Sequence, residues 1–142
     1  MSTFTTYLDH SPVVRSGGSN AAGFPKITTF ENTFDATRRP LAAADVVELI
    51  TIPPGTLVTK VFVQVLNGEA DQTLNVGDGA DPDGYVAAAD VATTGTRVMG
   101  AGAFGAAGKF YATGDTIDIE VPANKAYATL KVRVVVACVC MG

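Results

Sequence analysis

Residues 126–142 read AYATLKVRVVVACVCMG, a run with no proline and no internal glycine. Ala126, Ala128, Leu130, Val132, Val134, Val136, Cys138 and Cys140 share one parity, and Tyr127, Thr129, Lys131, Arg133, Val135, Ala137 and Val139 share the other. A pleated strand presents alternate residues to opposite faces and accommodates β-branched side chains well, so the run predicts one long strand. The first set carries no charge and is expected in a core. The second starts polar and turns apolar toward its end, as expected of a face that something else covers there. A long core strand with more apolar surface than one domain hides points to a structural subunit, not a catalyst.

Shorter pieces of the same texture lie upstream. Ile27 to Phe34 predicts a strand before the Arg38-Arg39-Pro40 break, and Val46 to Ile52 a second, stopped by Pro53-Pro54-Gly55. Leu57 to Leu66 predicts a third, with Val61, Val63 and Val65 on one face and Phe62 and Leu66 on the other. Asn67-Gly68 predicts a tight hairpin into a fourth strand near Gln72 to Val76. Thr116 to Val121 alternates Ile117, Ile119 and Val121 inward with Thr116, Asp118 and Glu120 outward, after which Pro122 and Asn124 turn the chain into the final strand. Residues 86–93 have room for one brief helix. Short strands, frequent turns and no helix-length amphipathic run predict an all-β fold, a single β-sandwich or jelly-roll-like domain over residues 26–142. Residues 1–25 are rich in Ser, Thr, Gly, Ala and Asn, with Phe4, Tyr7, Leu8 and Val13 scattered among them. Such a composition builds no core of its own and predicts an extended N-terminal arm that orders on a neighbouring subunit through its few aromatic anchors.

Composition narrows the function classes. A chain of 142 residues is most simply one domain, large enough to bury roughly 70% of the surface its unfolded form exposes. Apolar residues make up 47% and charged ones 17%, against a usual charged share of about 25%, so self-association or docking on a partner is expected. A net charge of −4 argues against nucleic acid, which demands concentrated Lys and Arg. No long apolar run spans a membrane, and Met1 to His10 lacks the basic and apolar regions of a signal peptide, so synthesis in a cytoplasm is expected. Cys138 and Cys140 lie two apart on one strand face, where bonding to each other would strain the backbone, and His10 is far away in sequence. Both are expected to be small apolar core side chains.

Three local patterns invite a chemical reading. Gly100-Ala101-Gly102-Ala103-Phe104-Gly105 matches the G-x-G-x-x-G fingerprint, yet the flanking sequence offers no βαβ unit, so a flexible Gly/Ala loop over residues 95–108 is expected, with Phe104 packing on the domain or on a partner. Gly77 to Gly84 groups Asp78, Asp81 and Asp83 beside glycines, a set that suits calcium. Aligned on an EF-hand loop, however, its first place falls on Gly79, and Asp also favours turns by bonding its own backbone. A calcium-dependent carbohydrate-binding module of a tail or fibre, using those three Asp with Tyr85, stays as an alternative. Asp118 and Glu120 share an outward face and are expected to be solvated, and no nucleophile elbow or catalytic His is present, so no enzyme, no cofactor and no metal are expected.

The order ADVVELITIPPGTLVTKVFVQVLNGEADQTLNVGDGADPDGY at residues 44–85, then a Gly-rich stretch, then YATGDTIDIEVPANKAYATLKVRVVV at residues 111–136, resembles the head decoration (cement) proteins of tailed bacteriophages. The matching residues are Ile52 to Gly55, Gly77 to Tyr85, and Gly114 to Ile117, within a region of roughly 45–136. The resemblance implies a β-sandwich on the outer surface of a virion head, made in the cytoplasm of the host bacterium. It also implies that the major capsid protein is its partner, with further copies of itself as a dimer or trimer. A tail, fibre or connector component is the other place in a virion open to such a chain. Phe4, Tyr7, Leu8, Arg15, Arg38, Arg39 and Phe104 are the expected partner contacts, the arginines by pairing with carboxylates of the shell.

Overall fold

The computed structural model describes residues 27–140 throughout and, ahead of them, the backbone of two short strands at residues 3–4 and 13–17. Tyr7 and Leu8, and most of the expected arm, lie outside the described residues. The strands are β1 (Thr3–Phe4), β2 (Val13–Gly17), β3 (Ile27–Asp35), β4 (Val46–Ile52), β5 (Thr56–Asn67), β6 (Thr73–Gly77), β7 (Val86–Asp90), β8 (Arg97–Met99), β9 (Lys109–Tyr111), β10 (Asp115–Glu120) and β11 (Lys131–Cys140), with one helical turn, α1 (Ala103–Ala107). They form two sheets. One runs β2-β3-β11-β5-β8, with β9 also paired to β5; the other runs β1-β4-β10-β6-β7. Among the described strands, every pairing except β1 with β4 is antiparallel. Without the edge pieces β1, β2 and β9, the orders β3-β11-β5-β8 and β4-β10-β6-β7, with the chain crossing between sheets at most connections, make a jelly-roll-like sandwich.

The valine-rich strand sits at the centre. β11 pairs β3 from Lys131↔Asp35 to Val139↔Ile27 and pairs β5 from Lys131↔Asn67 to Cys140↔Thr56. Its inner set, Val132, Val134, Val136 and Cys138, is buried beside Val61, Val63 and Val65 of β5. Across the sandwich, β4 sends Val47, Leu49, Ile50 and Ile52 into the same core. Two neighbours, Leu49 and Ile50, both face inward because a bulge opposite Ile117 and Asp118 of β10 shifts the register by one residue.

The strand is shorter than its periodicity predicts. β11 begins at Lys131; over residues 126–130 Tyr127 is buried while Ala126 and Ala128 are exposed, the reverse of the predicted parity. Side chains at the end of β5 and in the β5–β6 connection capture the backbone there. Gln72 Oε1 accepts the N–H of Ala126, the Glu69 carboxylate accepts those of Ala128 and Thr129, and Asn67 Nδ2 donates to the Thr129 carbonyl. Tyr127 then turns inward against Phe34, ring centroids 6.2 Å apart, and donates its hydroxyl to the Thr73 carbonyl. Tyr127→Phe is expected to lower stability by about 1 kcal/mol, the net worth of one hydrogen bond, with secondary structure unchanged. Urea titration checks it; a loss near zero would mean that the phenol is hydrated rather than bonded.

Four further expectations are corrected. Asn67-Gly68 does not close a hairpin, because β5 and β6 belong to different sheets. Gly68 is required there for close approach, since a Cβ would sit 2.2 Å from the Ala92 carbonyl oxygen. Residues 86–90 are a strand rather than a helix, because pairing with β6 satisfies their backbone and Asn75 Oδ1 accepts the Ala88 N–H. The Gly/Ala stretch holds β8 and α1 instead of a loose loop. Cys138 is in the core, its thiol held at 3.3 Å from the Thr28 carbonyl and its pKa pushed up to about 11 by burial, but Cys140, at the strand end, is exposed.

Candidate functional site

The loop after β6 is tied down by a buried carboxylate. Asp78 Oδ1 accepts the N–H groups of Ala80 and Asp81 in an Asx-type turn. Its Oδ2 accepts Lys109 Nζ at 2.5 Å and the Tyr111 hydroxyl at 2.8 Å. Tyr111 has a single hydroxyl proton and spends it on Asp78, so the 2.7 Å contact between the two phenols is Tyr85 donating to Tyr111. Lys109 Nζ also lies 4.2 Å from the centre of the Phe104 ring, and Phe104 meets Tyr85 edge-on at 5.4 Å. Burial alone would raise the pKa of Asp78, but the bonds from Lys109, Tyr111 and the Asp81 N–H outweigh it and hold the carboxyl below its ordinary range. Desolvation drives both phenols upward, so they stay protonated donors.

This geometry answers the chemical readings. Both oxygens of Asp78 are committed to donors, and the neighbouring Asp83 carboxyl raises the Asp81 pKa. The calcium reading therefore loses its central ligand, and among the described residues no three His, Cys, Asp or Glu side chains are placed to hold a metal ion. The G-x-G-x-x-G stretch does follow a strand and run into a helix, but α1 has five residues, too few for a helix N-terminus that binds phosphate, and the glycines of the stretch serve packing. A Cβ at Gly102 would lie 2.5 Å from the Gly84 carbonyl, and one at Gly105 would lie 2.5 Å from the Gly100 carbonyl.

The two outer faces of the sandwich differ in chemistry. On the β4–β10 face Glu48 and Asp118 are directly paired across the strands, with Glu120 beside them. Residues Gly79 and Pro82 of the Asp78 loop help to enclose a pocket of about 240 Å³ over these carboxylates. Asp118 does point outward as predicted, yet it is buried rather than solvated. Burial, then the charges of Glu48, Asp115 and Asp78, raise its pKa to about 7 against the opposing hydrogen bond from Thr116. The opposite face, on β3, β11, β5, β8 and β9, carries all four large hydrophobic side chains exposed among the described residues: Ile27, Phe62, Met99 and Phe110. Lys60, Arg97, Lys131 and Arg133 share that face with Glu31 and Asp35.

Of the expected contact residues, the three whose side chains are described, Arg38, Arg39 and Phe104, do not gather into one patch. Phe4 and Arg15 lie in β1 and β2, whose backbones pair with Val47 and Thr29, and Tyr7 and Leu8 are outside the described residues. Arg38 and Arg39 occupy the turn after β3, Arg38 exposed and Arg39 half-buried. Phe104 is half-buried in its own domain between Tyr85 and Lys109, an intramolecular role. The face that stands out, with Phe62 and Met99, was missed as a site, although its signal was present in the apolar outer parity of β11.

No protein-family model and no curated protein sequence matches the chain. Solved structures of similar fold do. A chain in the capsid of Ralstonia phage GP4 superposes with a TM-score of 0.60 at 19% identity, covering 88% of this chain and 90% of that one. A chain in the capsid of Helicobacter pylori bacteriophage KHP30 gives 0.60 at 15% identity, covering 92% and 95%. A chain in the capsid asymmetric unit of cyanophage Pam1 gives 0.60 at 23% identity, covering 88% and 91%. Coverage is near-complete in both directions, so each of those chains has nearly the length of this one. The sandwich is a fold that whole chains in three phage capsids share.

Proposed function

We propose that the chain is a structural protein of a phage head, a decoration (cement) protein that sits on the outer surface of the shell, binds the major capsid protein and associates with its own copies. The observation that carries this reading is the end-to-end correspondence with capsid chains of nearly equal length. A protein this small, filled by a single core, adds contact area to a lattice. Its stabilisation comes from apolar burial of roughly 25 cal/mol per Å² less the cost of ordering, multiplied over many symmetric copies. Chemistry plays no part in this role, in keeping with an Asp78 network that braces a loop.

Residues 1–25 act in this reading as an arm that orders on the shell or on an adjacent copy, with Phe4, Tyr7 and Leu8 as anchors and Arg15, Arg38 and Arg39 facing shell carboxylates. The edges of β3 and β4, where β2 and β1 pair, are what an adjacent copy also offers to an incoming strand. The test is cosedimentation of the purified chain with heads that lack it. Saturable binding, with copies in the hundreds per virion on a stained gel, is the expected result. A handful of copies would favour a connector or fibre, and no binding would refute the reading. Removal of residues 1–25 is expected to weaken head binding at least tenfold; undiminished binding would remove the arm from the mechanism.

A further inference from the structure

The register places the exposed apolar residues in rows across one sheet face. Ile27, Val139, Leu57 and Phe110 are consecutive cross-strand neighbours, and so are Glu31, Val135, Phe62 and Met99 two rows away. Ile27 is 59%, Phe62 40%, Met99 56% and Phe110 51% exposed, a concentration that a monomeric surface rarely carries. Charge on the face is ordered by strand: Glu31 stands on β3 at one side and Arg97 on β8 at the other. A shallow depression of about 450 Å³ lies between them, floored by Phe62 and Val135 and rimmed by Glu31, Arg97 and Arg133.

We propose that this face is the self-association surface, and that its occupant is a second copy related by a two-fold axis running parallel to the strands between β11 and β5. The inference rests on the self-association in the reading above and supplies its surface and symmetry. That axis lays β3 of each copy over β8 of the other and β11 over β5. Val135 then meets Phe62 of the second copy. Glu31 meets the edge that carries Met99 and Arg97, and Met99 enters the depression beside Glu31. Turning the face onto itself brings the acidic side of one copy over the basic side of the other, the isologous arrangement of two-fold dimers. With strands about 4.8 Å apart and same-face rows about 7 Å apart, the face spans several hundred Å², comparable to the roughly 800 Å² per partner of a standard stable interface.

Sedimentation equilibrium on the full chain, across a broad concentration range, tests the proposal. Wild type is expected to form a dimer. Phe62→Lys and, as a second variant, Met99→Lys are each expected to raise the dissociation constant at least tenfold, with melting temperatures unchanged at concentrations where wild type and variants are all monomeric, because both side chains are exposed. Glu31→Arg and Arg97→Glu are each expected to weaken the dimer, and the two combined to restore it. A wild-type monomer at every concentration, a trimer, a Phe62→Lys dimer of undiminished affinity, or a charge-reversed pair no tighter than the single variants would each overturn it. The head-binding experiment is separate: a monomer that decorates heads sinks this inference alone, and a dimer that ignores heads sinks the decoration reading alone.

Discussion

Asp78→Ala is expected to destabilise the fold by about 3–5 kcal/mol near neutral pH, the cost of breaking a buried ion pair by removing one partner. The carboxylate is fully buried and Lys109 is 26% exposed, so solvent does little to replace the lost interaction. Four donors lose their acceptor at once: the ammonium, the Tyr111 hydroxyl and the N–H groups of Ala80 and Asp81. Replacing both members by apolar residues, Asp78→Leu with Lys109→Met, is expected to cost less than the two single changes added together, because no orphaned charge remains. The pH dependence has a defined sign. The folded pKa of Asp78 lies below its ordinary value, so the stabilisation is complete above the unfolded pKa of about 3.9 and is lost as pH falls through the folded pKa. The gap between wild type and variant should therefore be widest at neutral pH and should narrow in acid. Urea unfolding at several pH values measures it; a neutral-pH loss below about 1 kcal/mol would mean that the network adds little to the sandwich.

The strands were legible where side-chain periodicity alone decides. Val46–Ile52 is found as predicted, and Val61, Val63 and Val65 face inward with Phe62 outward. What escaped was set by long-range partners that no local pattern encodes. Asn67-Gly68 has the chemistry of a hairpin, but the partner strands of β5 are β11, β8 and β9, and the glycine answers instead to the carbonyl of Ala92. Tyr127 follows the parity of a strand only until Glu69 and Gln72 take its neighbours' N–H groups. The Asp78 loop is a turn by composition, whereas its lysine and tyrosine partners arrive from β9, about thirty residues later. Phe104, expected to pack on the domain or on a partner, meets Tyr85 and Lys109 of its own domain through contacts of the same long-range kind. The exposed apolar face was half legible: the apolar outer parity of β11 signalled a covered surface, but only the register shows that Phe62, Met99, Ile27 and Phe110 join it.

Asp118→Asn is expected to stabilise the protein, and to do so only where the wild-type carboxyl is ionised. Asp118 faces Glu48 across the strand pair, with Asp115 and Glu120 on its own strand and Asp78 in the loop above. On the neighbouring β6 its partner is Gly77, which has no charge to offer, and the Asp78 charge is already met by Lys109. Like charges directly opposite one another repel, and burial adds a desolvation cost, so the folded pKa stands at about 7 against about 3.9 unfolded. A folded pKa above the unfolded one means that the native state binds the extra proton. Stability is therefore highest while the group is protonated and falls as pH rises from about 4 to about 7, after which the penalty is constant. Asparagine keeps the shape and an oxygen to accept the Thr116 hydroxyl but carries no charge, so the variant escapes the penalty. The difference between variant and wild type should be near zero at pH 4, grow through the interval and level off above pH 7 at about 2–4 kcal/mol. Glu48→Gln should reproduce part of it by removing the nearest like charge. Thermal unfolding of the variants and wild type across this range is decisive: a difference that does not change with pH would show that Asp118 is ionised at an ordinary pKa, and that the pocket beneath the Asp78 loop is open to water.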